Sequence, residues 1–419
     1  MQSQTASATT RIRGIDAARG TAMLFVCLSH FGLEYFRFSG AGGVRDWVYR
    51  VGMVASPTFM LLSGLMLGLL YFSRPARFAR TRLSLADKGL FMLLVGHWLI
   101  ALACVPREGS WEKALRLGFM TDAIGVAVLV GPQLVSRLGM RARLALSAAI
   151  FAAAWCLVAW WHPHGGASAV VRHLLVGPFP HAQPNTFPLL PWFAVYLAGT
   201  ALGEWAARHH AAGNWRAVER GLLRIGVAMV VLAVGVKLAM WGAERAGLFA
   251  AGGSLELRYE LTSPWRKLPP SPVYLLFYGG LGLAMAGLVM AADRARPLQP
   301  FVRAVALVGQ TSLFVFIAQF YVYYVATYYL RLPYTPLWPL FFLASLAVIL
   351  AAAHVWHSRG LNTVLTVRLP AIARVATAAR AAAAAAIAPP SEDAPRGRGT
   401  ARISGAVHAF RVARLAQGR

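Results

Sequence analysis

The sequence predicts an all-α, polytopic transmembrane helix bundle of about ten spans, and three observations carry that expectation. Of the 419 residues, 58% are hydrophobic and only 13% are charged, about half the charged share of an ordinary soluble domain. The mean hydropathy of +0.55 excludes a disordered chain as a whole. The apolar residues also fall in runs of roughly 18 or more, each long enough to cross a bilayer. Lys and Arg outnumber Asp and Glu by 41 to 15, a formal net charge of +26. These basic residues sit in short clusters between the apolar runs, where they orient membrane spans. The expected surroundings are therefore a lipid bilayer, with no nucleic-acid partner.

In chain order, residues 1–10 are polar and expected to be disordered, and a membrane domain follows over 11–357. Its spans are read at about 20–38, 48–72, 89–106, 117–135, 143–161, 186–206, 221–241, 273–292, 305–329 and 335–356. The first follows a basic flank, as a signal peptide would. Its apolar run is long for one and contains Glu34, so it reads as a retained helix, with 39–43 as a loop. The basic cluster Arg74, Arg77, Arg80, Arg82 and Lys88 reads as an inner loop between spans two and three. Longer outer loops are expected at 162–185 and 242–272. From 358 to 419 the chain is Ala-rich and basic and reads as a partly disordered tail near anionic lipid.

Orientation follows from charge. With the N-terminus inside, 28 Lys and Arg fall on the inner side and 12 on the outer, Lys237 lying within a span. This predicts both termini in the cytoplasm. Arg greatly outnumbers the four lysines and Ala is heavily used, which points to a GC-rich bacterial genome and an inner (plasma) membrane. Cys27, Cys104 and Cys156 lie in apolar runs and read as small hydrophobes. His162, His164, His173 and His181 share an outer loop with no carboxylate, so no metal site is expected.

Ionisable groups inside spans are costly and mark function by default. Taking helical phase from Asp16, the side chains of Arg19, His30, Glu34 and Arg37 fall within a wedge of about 60°. One helix thus carries a polar stripe from its cytoplasmic end outward. Arg19 and His30 are separated by a rise of about 16 Å, which puts His30 near mid-membrane with Glu34 one turn beyond. A carboxylate there can hold the imidazole tautomer and raise its basicity. The plain alternative is a satisfied interhelical histidine. His97 and Asp122, on neighbouring spans, read first as a structural hydrogen-bonded pair and second as a catalytic one. Ser63 and its neighbour Gly64 suggest close helix packing. Lys237 can snorkel to the outer surface, and Glu204 reads as solvated or paired with Arg208. Span nine is aromatic, with Ser312 and Gln319 among the polar residues able to line a cavity.

Four segments carry a family resemblance. RIRGIDAARGTAMLFVCLSH (11–30) resembles the first helix of the heparan-α-glucosaminide N-acetyltransferase-like family, within the transmembrane acyltransferases that include acyltransferase family 3. Its pattern is Asp16, Arg19-Gly20 and His30. ASPTFMLLSG (55–64), FPLLPWFAVYLAGTALG (187–203) and VGQTSLFVFIAQF (308–320) resemble later helices of that family, in order. Two positions depart: Gln319 stands where the family often has His, and Lys88-Gly89 stands where Arg-Gly is commoner.

The resemblance implies acyl transfer from a cytoplasmic acyl-CoA, typically acetyl-CoA, to a hydroxyl or amine of an envelope glycan or glycolipid reached from the other side. Under it, His30 is the catalytic base or transient acyl carrier and Glu34 its support. Arg19, Arg74, Arg77 and Lys88 hold the donor phosphates, and Asp16, Ser63, His97, Asp122 and Gln319 are supporting residues. A transporter using the stripe as a proton or substrate path, and a non-catalytic membrane protein, are the alternatives at this stage.

Overall fold

The computed structural model describes residues 12–38, 42–177, 186–247 and 255–369. The polar start (1–10), His181 and most of the expected tail lie outside the described residues. Helix α1 spans Arg13–Tyr35, and α2 (Gly42–Gly52) leads into α3 (Ala55–Ser73). Helix α4 (Pro75–Phe91) continues through a π turn at Met92–Gly96 into α5 (His97–Glu108). After α6 (Trp111–Leu115) come α7 (Met120–Val135), α8 (Met140–Trp160), α9 (Gly166–Val176), α10 (Leu189–Ala211) and α11 (Trp215–Arg245). Helix α12 (Leu255–Thr262) precedes α13 (Pro272–Tyr274), which passes through a π turn at Leu275–Gly279 into α14 (Gly280–Ala292). The series ends with α15 (Gln299–Gln310), α16 (Ser312–Phe320), a π turn at Tyr321–Ala326, α17 (Thr327–Leu330) and α18 (Trp338–Ser358). Among the described residues there is no β-sheet, only two isolated bridges. The chain is an all-α polytopic bundle.

Every expected span overlaps a helix, and among the described residues seven helical segments are long and apolar enough to cross a membrane. Three of the ten fall outside that set. Helix α7 has only 16 residues, while α1 and α10 carry Asp16, Arg19, Glu34, Glu204 and Arg208 within their length. Three boundaries also differ from the sequence reading. The basic segment after span two is helical rather than a loop, because Pro75 at the first turn of α4 starts a helix that runs straight into span three. Arg74 is the break, with φ −149° and ψ 63°. Span two breaks between Gly52 and Ala55, and span nine breaks at Thr311.

Small residues decide which helices sit inside. A Cβ on Gly64 would meet the Tyr196 carbonyl oxygen at 2.0 Å, and one on Gly203 would meet that of Leu65 at 2.2 Å. The backbones of α3 and α10 therefore touch along Gly64, Gly68, Gly199 and Gly203, the small-residue packing that membrane helices use. Helices α11 and α18 instead present rows of exposed Leu and Val, such as Val231, Leu232, Leu238, Leu340 and Val348. That is the surface suited to lipid.

Buried charges on α8 and α10 are paired. Arg143 on α8 is fully buried, bonds Thr200 Oγ1 at 2.8 Å and pairs with Glu204, which also takes Arg208. Glu204 is therefore buried between two guanidinium groups rather than solvated, since the α8–α10 contact brings Arg143 onto it. Beyond α18 the chain stays tied to the bundle as far as Leu369, because Asp87 accepts from the Val367 and Leu369 N–H groups at 3.1 and 2.8 Å.

Candidate active site

Helix α1 is continuous from Arg13 to Tyr35, so the polar stripe exists as one face. Its N-terminal half is locked by a close crossing with α15. A Cβ on Gly20 would lie 1.9 Å from the Val305 carbonyl oxygen, and one on Gly309 would lie 1.8 Å from that of Asp16. This contact brings two distant motifs together: Arg19 Nη2 donates to Ser312 Oγ at 2.7 Å, and Nη1 reaches Met66 Sδ at 3.4 Å. Asp16 is buried at the same crossing.

Further along the stripe, His30 Nδ1 lies 2.8 Å from Gln319 Oε1. The Gln319 amide has a fixed sense, because its Nε2 donates to the Phe316 carbonyl at 3.1 Å and a carbonyl can only accept. Gln319 Oε1 must then accept from His30, so Nδ1 carries the proton and the lone pair of the neutral ring is on Nε2. Phe320, Tyr324 and Phe316 surround the ring at centroid distances of 4.9, 5.6 and 6.4 Å. The imidazole opens on a cavity of about 50 Å³ shared with Ser29, Ser56, Phe316, Phe320 and Lys267. One water needs roughly 10–15 Å³ of such space, so the cavity admits a small group beside the ring.

Glu34 does not reach His30. Its carboxylate pairs with Arg107 on α5 at 2.7 Å and with Arg37 at 3.8 Å. The expected support of His30 by Glu34 is thus replaced by Gln319, because two guanidinium groups outbid a neutral ring for a buried carboxylate. Arg107 also lies 5.3 Å over the Tyr324 ring, so this pair braces the aromatic wall. His97 and Asp122 do meet, at 3.1 and 3.2 Å. The other ring nitrogen of His97 faces the Leu115 carbonyl at 3.3 Å, and Asp122 caps α7 through the Phe119 N–H at 2.8 Å. With both nitrogens engaged, this pair ties helices together.

Arg74 is exposed at the α3–α4 break, Lys88 is exposed on α4, and Arg77 lies on α4 with its side chain outside the described residues. Ser63 is half-buried on α3, one turn from Met66. Of the aromatic residues of span nine, Phe316 and Phe320 line the cavity and the others pack the bundle around it.

Lys267, in the long segment after α12, is the cavity residue that the sequence reading passed over as a loop charge. Its signal was local: Lys267 opens a run, Leu268-Pro269-Pro270-Ser271-Pro272, whose prolines restrict the backbone to a defined turn. Burial pushes its ammonium group down to about 8.

A family model described as heparan-alpha-glucosaminide N-acetyltransferase, catalytic, matches residues 11–243. The chain belongs to that family. The match takes in α1 with Arg19 and His30, the α3–α10 glycine contact and α5 with Arg107. It ends before α15 and α16, which supply Gly309, Ser312 and Gln319 to this acetyltransferase-family site. A comparison with curated proteins finds no match.

Proposed function

We propose that the protein is an integral membrane acyltransferase that moves an acyl group, acetyl by its family, from a cytoplasmic acyl-CoA to a hydroxyl or amine of an envelope glycan. The observation that carries this reading is His30. It lines a small cavity, and an amide of fixed sense holds the tautomer whose lone pair is on Nε2. The acceptor O–H or N–H gives its proton to Nε2 while its heteroatom attacks the thioester carbonyl. The C–S bond then breaks, and the imidazolium returns the proton to the leaving thiolate. Arg19, Arg74, Arg77 and Lys88 are the proposed contacts of the donor phosphates.

The test is transfer from labelled acetyl-CoA to glucosamine by the purified full-length protein. His30→Ala should lower kcat by about 10²–10⁴-fold with acetyl-CoA affinity retained. Activity within a few-fold of wild type would overturn the assignment. The same reading puts the protein in a bacterial inner membrane with both termini cytoplasmic, as the excess of Lys and Arg on one side supports. A cysteine put at exposed His164, in a Cys156→Ser background, should react with an impermeant maleimide from outside; reaction only from inside would reverse the orientation.

A further inference from the structure

The geometry points to Lys267 as the group that stabilises the oxyanion formed during acyl transfer at His30. This rests on the acyltransferase reading and concerns the half of the chemistry that a base cannot perform. When the acceptor attacks the thioester, the carbonyl π electrons move onto oxygen while the proton moves to His30 Nε2. The new C–O or C–N bond forms, the oxygen becomes an anion, and it needs a fixed positive partner until the C–S bond breaks.

Lys267 and His30 line the same cavity. Among the described residues, no carboxylate pairs with Lys267; its recorded neighbour is the Phe187 ring, 5.2 Å from Nζ. No Asp or Glu lines the cavity either. Lys267 thus shares with His30 a small cavity that four phenylalanines help to line and that holds no counter-charge. On the acyltransferase reading, the anion that matches Lys267 is the one the reaction makes.

The lysine is also held in advance, as electrostatic stabilisation requires. Its turn is closed by the Ser271 N–H donating to the Arg266 carbonyl at 2.9 Å and by Ser271 Oγ donating to the Ser263 carbonyl at 2.6 Å. Arg266 is fixed to Glu260 at 2.8 Å, and Trp155 Nε1 donates to the Pro270 carbonyl at 3.2 Å. Arg50 lies 4.4 Å over Trp265. The turn is anchored on both sides of Lys267, while its side chain is left to the cavity.

The experiment uses the full-length protein in detergent, with labelled acetyl-CoA as donor and either glucosamine or water as acceptor. Lys267→Met keeps length and removes charge. It should lower kcat about 10²–10³-fold for both acceptors, with acetyl-CoA affinity and the glucosamine KM within about threefold of wild type. Lys267→Arg should recover much of the loss. If the Met variant is unstable, Lys267→Gln, polar but neutral, takes its place with the same loss of kcat expected. Wild-type kcat in both variants would overturn the proposal. So would a rise in glucosamine KM with acetyl-CoA hydrolysis unchanged, since that is the behaviour of an acceptor anchor. His30→Ala is measured in parallel. If it abolishes transfer while Lys267→Met does not, only the lysine proposal fails; if it leaves transfer intact, or if the wild type transfers to neither acceptor, the acyltransferase reading fails with it.

Discussion

Replacing Gln319 by Leu separates orientation of His30 from its presence. The substitution keeps side-chain bulk on α16 and removes the oxygen that accepts from Nδ1 at 2.8 Å. It also removes the donor that holds the amide to the Phe316 carbonyl. The lost hydrogen bond is neutral on both sides and is worth about 0.5–1.5 kcal/mol. If that whole amount is lost from the reacting tautomer, kcat falls about 2- to 10-fold, at about 1.4 kcal/mol per tenfold change. The Nδ1–H is left buried without an acceptor, which costs a further 1–3 kcal/mol or so of stability. The assay is single-turnover transfer from saturating labelled acetyl-CoA, with equilibrium acetyl-CoA binding and thermal unfolding in detergent measured on the same preparation. The expected result is a modest loss of rate, lower thermal stability and unchanged donor affinity. An unchanged rate would refute the claim that this amide sets the imidazole. A loss as large as that of His30→Ala, in a folded protein, would show that the bond is worth far more than its chemistry allows and that the reasoning about its neutral character is wrong.

Three further outcomes follow from the same geometry. Glu34→Gln should leave kcat within about threefold, because Glu34 bonds Arg107 and Arg37 rather than His30. It should lower stability by about 1–3 kcal/mol through the buried contact it weakens, read as a drop in Tm; a rate loss approaching that of His30→Ala would restore the carboxylate to the catalytic unit. Gly309→Ala drives a Cβ to 1.8 Å from the Asp16 carbonyl oxygen and should cost about 1–3 kcal/mol or more, whereas Gly242→Ala, with open space around it, should not lower Tm; equal effects would argue against the tight crossing. With Lys267 at about 8 and the charged form required for oxyanion stabilisation, transfer should decline as pH rises through about 8. Lys267→Arg, which stays charged, should lose that alkaline limb; an identical limb in both proteins would assign it elsewhere.

Much of this molecule is written locally in the chain. Apolar runs of spanning length dictate helices whatever their neighbours, because an unpaired backbone cannot be left in hydrocarbon. The phase of Asp16, Arg19, His30 and Glu34 is likewise a property of one helix, and α1 keeps them on one face as 3.6 residues per turn requires. The glycines of α3 and α10 announce close packing before any partner is known. Partner choice is different, because it depends on what distant helices bring to the same depth. Helical spacing places Glu34 one turn from His30, yet the carboxylate turns to Arg107, which is 73 residues away in the chain. Gln319, a departure from the family pattern when read in sequence, proves to be the acceptor for Nδ1 because the Gly20–Gly309 crossing fixes α1 against the α15–α16 segment. Lys267 shows the same limit most sharply. A lysine in a long, proline-rich segment looks solvated in one dimension, and only the fold turns that segment inward, so that it shares a small cavity with His30. Secondary structure follows from short-range sterics and hydropathy, whereas the electrostatics of a site follow from which side chains the tertiary contacts leave to one another after water has been removed.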